Sequence, residues 1–295
     1  MRHSSPLRYP GGKTPLAPFL AEVLRINGLE GGVFAEPFAG GAGAALRLLF
    51  SEVLSRIYIN DLDTRIYSFW RAVLNHTDEL LTLLERTPVN VKHWRRQRAV
   101  LRSISQHSIL EVGFATFYLN RSNHSGVLNG GPIGGLNQTG NYKIDARFNK
   151  KALRKKIERI ALYSDRITVK NLDGVEFLKW LFSNGTVRAE AAFVYMDPPF
   201  FEKAARLYKI YFRDSDHDKL AKFLNHEHGF RWIVSYDDTP HIRKLYRDRP
   251  NVLLAKYSLH TTKTGRELII SSPNCSLPSD LLGSFLSGRL RAAVA

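Results

Sequence analysis

The sequence predicts an α/β chain, with a mostly parallel sheet, helices on both faces, an antiparallel hairpin at one edge and an inserted, mostly helical segment. Three observations carry this. Short β-rich runs ending in Gly, Asp or Asn alternate with helical patterns, which implies crossover connections and therefore parallel strands. The last two runs stand close together across a Thr/Gly turn, the spacing of an antiparallel pair. Between residues 64 and 159 the alternation stops.

Taken in order, Val33–Phe38 reads as the first strand, followed by a glycine turn and a helix from about Ala42 to Phe50. Arg56–Asn60 is the second strand and stops at Asp61. The segment from Thr64 to Arg159 begins helical and contains the basic run Lys92-His93-Trp94-Arg95-Arg96-Gln97-Arg98. It passes through Phe114–Leu119 into a stretch rich in Gly, Asn and Ser, from Arg121 to about Tyr142. A stretch of that length without periodicity is more often functional or disordered than a plain connector. Ile167–Asn171 and Ala192–Met196 read as buried strands, the second ending at Asp197; Arg231–Tyr236, Val252–Leu259 and Glu267–Ser271 complete the series. The expected organisation is one α/β domain (1–63 and 160–273), an insertion (64–159) and a loosely held C-terminal tail (274–295).

Composition narrows the setting. The 295 residues are 44% hydrophobic and 24% charged, enough for one large domain carrying an insertion. No apolar stretch reaches the ~18 residues that span a bilayer, and the N-terminus lacks a signal peptide's apolar core. The single cysteine, Cys275, excludes an intrachain disulfide and a thiolate metal cage, so a cytoplasmic setting is expected. Forty-three Lys and Arg against 27 Asp and Glu leave a formal charge of +16. A polyanion is the natural partner of such a surface, although any acidic surface meets the same electrostatic demand.

Three motifs carry chemistry. Glu36-Pro37-Phe38-Ala39-Gly40-Gly41-Ala42-Gly43 sits where a strand turns into a helix; glycines there allow close backbone approach, and the helix start offers amide hydrogens. Any tight strand–helix junction can use such a turn, but no GxGxxG or Walker pattern is present to cradle a pyrophosphate. Asp61, roughly 20 residues further at the next strand end, is placed to accept hydrogen bonds from a ribose. Asp197-Pro198-Pro199-Phe200 ends an apolar strand at the edge where α/β sheets bind ligands. The prolines fix the backbone and remove competing N–H groups, so the Asp197 side chain and the Asp197 or Pro198 carbonyl offer two acceptors to one donor. An exocyclic amino group matches that pair, and Phe200 offers a face for a planar base. A rigid turn with a capping Asp is the bland alternative. Near the N-terminus, Leu7-Arg8-Tyr9-Pro10-Gly11-Gly12-Lys13 can bend tightly and present Lys13 to a carboxylate, or be a basic tail.

With these residues in view, the chain resembles the Dam-type DNA adenine methyltransferases (the alpha group of adenine-specific enzymes). The resemblance rests on Tyr9-Pro-Gly-Gly-Lys13, Glu36-Pro-Phe-Ala-Gly-Gly, Asn60-Asp61, Phe117-Tyr118-Leu119-Asn120-Arg121 and Asp197-Pro-Pro-Phe200, in the family's order, from Leu7 to about Pro273. It implies a class I S-adenosylmethionine-dependent methyltransferase fold (Rossmann-like) whose insertion is the target-recognition domain. It implies cofactor contacts at Tyr9, Lys13, Phe38, Gly40, Asp61 and Asp197, with Lys13 near the methionine carboxylate and Asp61 on the ribose. Leu172 and Asp173 would border the cofactor adenine. Asp197, Pro198 and Phe200 would form the catalytic set, in a direct transfer without a covalent enzyme intermediate. Cys275, in the expected tail, is a poor nucleophile candidate. No metal is expected, because the histidines show no ligand spacing.

The implied substrate is duplex DNA, with the target base flipped out of the stack. Tyr208 and Tyr211 would close over that base, or else pack in the core beneath the next helix. Asn120, Arg121 and Asn123, with His124 and Asn129 as further candidates, would contact DNA, while Lys92, Arg95, Arg96 and Arg98 would contact phosphates or form a solvated helix face. The stretch Gly130-Gly131-Pro132-Ile133-Gly134-Gly135 does not look like its counterpart in enzymes that read GATC, so that target is not expected. Two departures stand out: Phe200 replaces the family's usual Tyr, and Ala42 stands where many relatives have Gly. Related enzymes acting on RNA guanine or protein glutamine usually show Asn before Pro-Pro, and cytosine enzymes Ser; Asp197 favours adenine. The alternatives are a catalytically inactive DNA-binding subunit and an RNA methyltransferase. A cognate restriction endonuclease is a candidate partner, and a monomer or weak dimer is expected.

Overall fold

The computed structural model describes residues 4–9, 12–183, 185, 187–199, 212–226, 229–247, 252–258 and 264–278, with backbone only at 252–258 and 264–266. Phe200, Tyr208 and Tyr211 lie outside the described residues, as do Pro10, Gly11 and 279–295. The strands are β1 (Val33–Glu36), β2 (Arg56–Asn60), β3 (Ile167–Lys170), β4 (Ala192–Met196), β5 (Arg231–Asp237), β6 (Val252–Ser258) and β7 (Thr264–Ser271). Their order is β3-β2-β1-β4-β5-β7-β6. The pairs β2–β3, β1–β4 and β4–β5 are parallel, and both pairs that β7 makes are antiparallel. The expected mostly parallel sheet with an antiparallel edge is present. β7 threads between β5 and β6, so the hairpin joins the sheet through its second strand.

Two compact units divide the chain. The first comprises 1–15, 39–50 and 56–172. It holds β2, β3 and the helices α2 (Gly43–Phe50), α3 (Thr64–Asn75), α4 (Thr77–Arg86), α5 (Val91–Val100), α6 (Ile109–Ser122) and α7 (Lys150–Ala161). α6 starts on a capping box between Ser108 and Glu111, which satisfies backbone amides that have no partner inside the helix. Its face from Val112 to Leu119 is buried, and Phe117 stacks on Phe69 of α3 with centroids 5.8 Å apart. The Gly/Asn-rich stretch after α6 is folded by its own hydrogen bonds. Ile133 N–H donates to Ser122 O (2.8 Å), Asn123 bridges to Pro132, and the Gln138 amide donates to Ile133 O (2.8 Å) and accepts from Ile144 N–H (2.8 Å).

The second unit comprises 16–38, 51–55 and 173–295. It holds β1, β4–β7, α1 (Ala17–Ile26), α8 (Gly174–Ser183), α9 (Asp214–Asn225) and α10 (Pro240–Leu245). Every residue of β4 is buried, as its unbroken apolar run requires, and Phe193 stacks on its β1 partner Phe34 at 5.8 Å. The start of the expected loose tail is tied down. Arg231 donates to Asn274 O (3.0 Å), Ser276 N–H donates to Asn27 Oδ1 (2.9 Å), and Cys275 is buried. Among the described residues, no helix is long and apolar enough to cross a membrane.

Candidate active site

In the first unit the glycine turn, the N-terminal arm and the end of β2 meet. The turn places Gly40 and Ala42 in the left-handed region (φ 47° for both), which Gly40 adopts freely and Ala42 only at a cost of about 1–2 kcal/mol. Gly40 is held on three sides. Its N–H donates to Asp61 Oδ2 (2.9 Å), and its carbonyl accepts from the Trp70 indole of α3 (2.9 Å). The third side is the Tyr9 ring, so close that a Cβ at Gly40 would lie 2.6 Å from it. Only glycine permits that approach. Gly12 N–H donates to Tyr9 O (3.0 Å), turning the arm towards half-buried Lys13.

Asp61 sits half-buried beyond β2, its Oδ1 accepting Asp63 N–H (2.9 Å). Burial pushes its pKa up to about 7, and the hydrogen bonds from Asp63 and Gly40 only partly oppose this. Asp63 caps α3 by accepting from Arg65 N–H, and pairs with the Arg65 guanidinium at 2.6 Å. The Asn60 amide exchanges two 2.9 Å hydrogen bonds with the Leu172 backbone, which fixes Leu172 beside the strand end. A half-buried carboxylate of raised pKa is a good acceptor for hydroxyl donors. Ribose hydroxyls are donors that suit such an acceptor.

In the second unit, Asp197 follows β4, and its Oδ1 accepts the Ser235 hydroxyl of β5 at 2.8 Å. Tyr195 OH lies 2.9 Å from Ser235 Oγ. With Asp197 a carboxylate, the hydrogens run Tyr195 to Ser235 to Asp197. Burial, then the Asp197 charge, hold the Tyr195 phenol well above its ordinary range, so it remains a donor. Pro198 is buried. Phe38 packs on Gly174, where a Cβ would lie 2.6 Å from the ring, and meets Phe212 edge-on at 5.4 Å. Asp173 caps α8 through Val175 and Glu176 N–H and pairs with Lys219 at 2.8 Å, so its carboxylate is spent on helix and lysine.

The proposed DNA-contacting residues are placed differently from expectation. Asn120 and Asn123 are 1% and 0% exposed. Asn120 bonds the Arg8 backbone and Gly126 O, while Asn123 accepts from the Trp94 indole (2.6 Å) and donates to Val127 O and Leu128 O. Amides so committed shape the loop and do not present themselves to base edges. Arg121 donates to Arg147 O (2.8 Å), and burial, then Arg8 and Arg147, pull its pKa down to about 10. Lys92, Arg95, Arg96, His124 and Asn129 are exposed, and Asn129 accepts from Arg65 at 3.1 Å. Arg98 lies over the Trp94 ring at 5.0 Å.

Sequence reasoning passed over Trp70, Arg65 and Ser235. A lone serine in the buried run Trp232–Tyr236 was the available signal for Ser235; Trp70 and Arg65 carried none, being ordinary helix residues.

This strand order, with a strand-end carboxylate beyond β2 and Asp-Pro-Pro beyond β4, defines a class I methyltransferase fold. The D12 class N6 adenine-specific DNA methyltransferase family matches residues 9–268. The chain belongs to that family. No curated protein matches it. Among solved structures, one described as a putative RNA methyltransferase of Pyrococcus horikoshii is 14% identical, with 90% of this chain and 85% of that one covered (TM-score 0.41). M. capricolum TrmK, in complex with S-adenosyl-homocysteine, is 10% identical over 89% of this chain and 73% of that one (TM-score 0.37). The rRNA methyltransferase aviRa of Streptomyces viridochromogenes is 12% identical over 91% and 88% (TM-score 0.37). These likenesses are low; the family assignment rests on the 9–268 match.

Proposed function

We propose that the protein transfers a methyl group from S-adenosylmethionine to the exocyclic amino nitrogen of adenine in duplex DNA. The observation that carries this is Asp197, set at the end of β4 before two prolines and oriented by Ser235. Adenine's amino nitrogen is a poor nucleophile because its lone pair is delocalised into the ring. Asp197 and the Pro198 carbonyl accept its two hydrogens, which favours a pyramidal nitrogen with an available lone pair. The Tyr195–Ser235 chain keeps the carboxylate in place, and Phe200 supplies the stacking face. When bound, the cofactor supplies an electrophilic sulfonium methyl. Asp61 holds its ribose, Lys13 its carboxylate, and Tyr9 and Gly40 line the cradle. Positioning provides the remaining rate gain, and the base leaves the duplex at a cost of a few kcal/mol.

Charge supports a nucleic-acid substrate. Arg8, Arg121, Arg147 and Lys156 pair with no carboxylate among the described residues, whereas Arg65 and Arg154 of the same unit pair with Asp63 and with Glu85 and Glu158. Transfer of labelled methyl groups to mixed-sequence duplex DNA, with RNA in parallel, tests the reading. Asp197→Ala is expected to lower transfer by on the order of a hundredfold or more while cofactor binding persists. Turnover like wild type in that variant reduces the motif to a turn. DNA binding without transfer marks an inactive subunit, and transfer to RNA alone overturns the substrate.

A further inference from the structure

We infer that Asn120 is a positioning residue for the cofactor site, latching the N-terminal arm from the insertion; this rests on the cofactor reading above. Asn120 lies in the last turn of α6 and is buried. Its Oδ1 accepts Arg8 N–H at 2.7 Å, and its Nδ2 donates to Arg8 O at 2.8 Å and to Gly126 O at 2.9 Å. The side-chain amide thus pairs with both backbone groups of one residue, as a neighbouring strand would. One residue later comes Tyr9, whose ring rests on Gly40, and Gly40 N–H in turn bonds Asp61. Any change in the course of Arg8 is passed directly to the ring over the cradle.

The surrounding contacts close the same latch. Gly126 has φ +76°, and a Cβ there would collide with Arg8 O, so only glycine lets the loop seat on the arm. Arg8 Nη1 donates to Asn123 O at 3.1 Å, and Lys156 Nζ donates to Ser5 O at 2.9 Å. Residues of the insertion therefore hold the arm at Ser5 and at Arg8. Asparagine is specific here because it both donates and accepts. Aspartate would keep the Arg8 N–H bond but set a carboxylate against two carbonyl oxygens.

The test is S-adenosylmethionine affinity and duplex DNA affinity of N120A and N120D, measured beside hydrogen exchange at the Arg8 amide. Each net buried hydrogen bond is modest, so losing two or three is expected to weaken cofactor binding about tenfold or more. Faster Arg8 exchange should accompany this in N120A, which removes the acceptor of the Arg8 amide, with DNA affinity of both variants changed by less than about twofold. Parallel loss of both affinities with the melting temperature reduces Asn120 to a core residue and overturns the inference. Loss of DNA affinity alone makes it a base reader and does the same. If either variant fails to fold, G126A displaces the arm by pressing on the Arg8 carbonyl and is expected to give the same selective loss; unchanged cofactor affinity there counts against the latch. A wild type that binds DNA but no S-adenosylmethionine overturns the functional reading and the inference together. Intact wild-type binding with unchanged variants overturns the inference alone.

Discussion

As the proposed ribose acceptor, Asp61 ties the expected cofactor affinity to pH. Its ordinary pKa of 3.8 becomes about 7 in the folded protein because burial penalises the charge. The folded state therefore holds a proton that the unfolded chain has already lost between about pH 4 and about pH 7. In that window Asp61 makes stability fall as pH rises, the reverse of a salt-bridged aspartate. A ligand whose hydroxyls donate to the carboxylate favours the charged form. S-adenosylmethionine affinity is then expected to weaken as pH drops below about 7, approaching tenfold per unit. Titration calorimetry across neutrality checks this, with Asp61→Asn giving a flat profile; a flat wild-type profile would remove Asp61 from the cofactor site. Asp61 was legible as a strand-end acceptor, and Asp197 as the residue before two prolines. Asn120 was recognisable as part of a motif but not as buried, since nothing local marks an amide that will be satisfied by backbone more than a hundred residues away.

At the scale of elements, α3 and α6 pack tightly at Gly113, where a Cβ would lie 2.5 Å from Ser68 O and 2.8 Å from Ala72 Cβ. Alanine favours a helix over glycine by about 1 kcal/mol, but overpacking costs about 1–3 kcal/mol. Gly113→Ala is expected to lower stability by about 1–2 kcal/mol in urea unfolding; a more stable variant would show that the helices can separate freely. Strand limits followed the same logic of what carries a signal. β2 and β4 match their apolar runs end to end. β1 stops at Glu36, two residues short of expectation, because Pro37 has no N–H to give the ladder. β7 begins three residues early, at Thr264, since Thr264–Arg266 pair with Lys256–Ser258 through backbone that polar residues do not announce. The Gly/Asn-rich stretch lacked periodicity because turns and side-chain amides, not a regular ladder, hold it.

For the whole molecule, the +16 charge sets the terms of encounter with a polyanion. The logarithm of DNA affinity is expected to fall linearly with the logarithm of salt, by about 0.9 per phosphate contacted. Arg147→Gln, which removes an exposed side chain beside Arg8 and Arg121, is expected to weaken binding across sequences and flatten that slope by about 1. An unaltered slope in filter-binding or anisotropy titrations would place the phosphate contacts elsewhere. The parallel sheet and its antiparallel edge were legible at this scale from the spacing of apolar runs. The passage of β7 between β5 and β6 was not, because a hairpin's own sequence is the same whichever strand docks. That threading governs how the sheet assembles on the ribosome. β6 emerges before β7 but lies at the rim, and its sheet neighbour is β7. β5 likewise waits for β7 on one flank. At about 5–20 residues per second, Val252–Ser258 spends up to a second or more as nascent strand without its native neighbour. Newly made chains are then exposed to mispairing with one another, a hazard that slower synthesis lengthens and a chaperone covering that rim would remove.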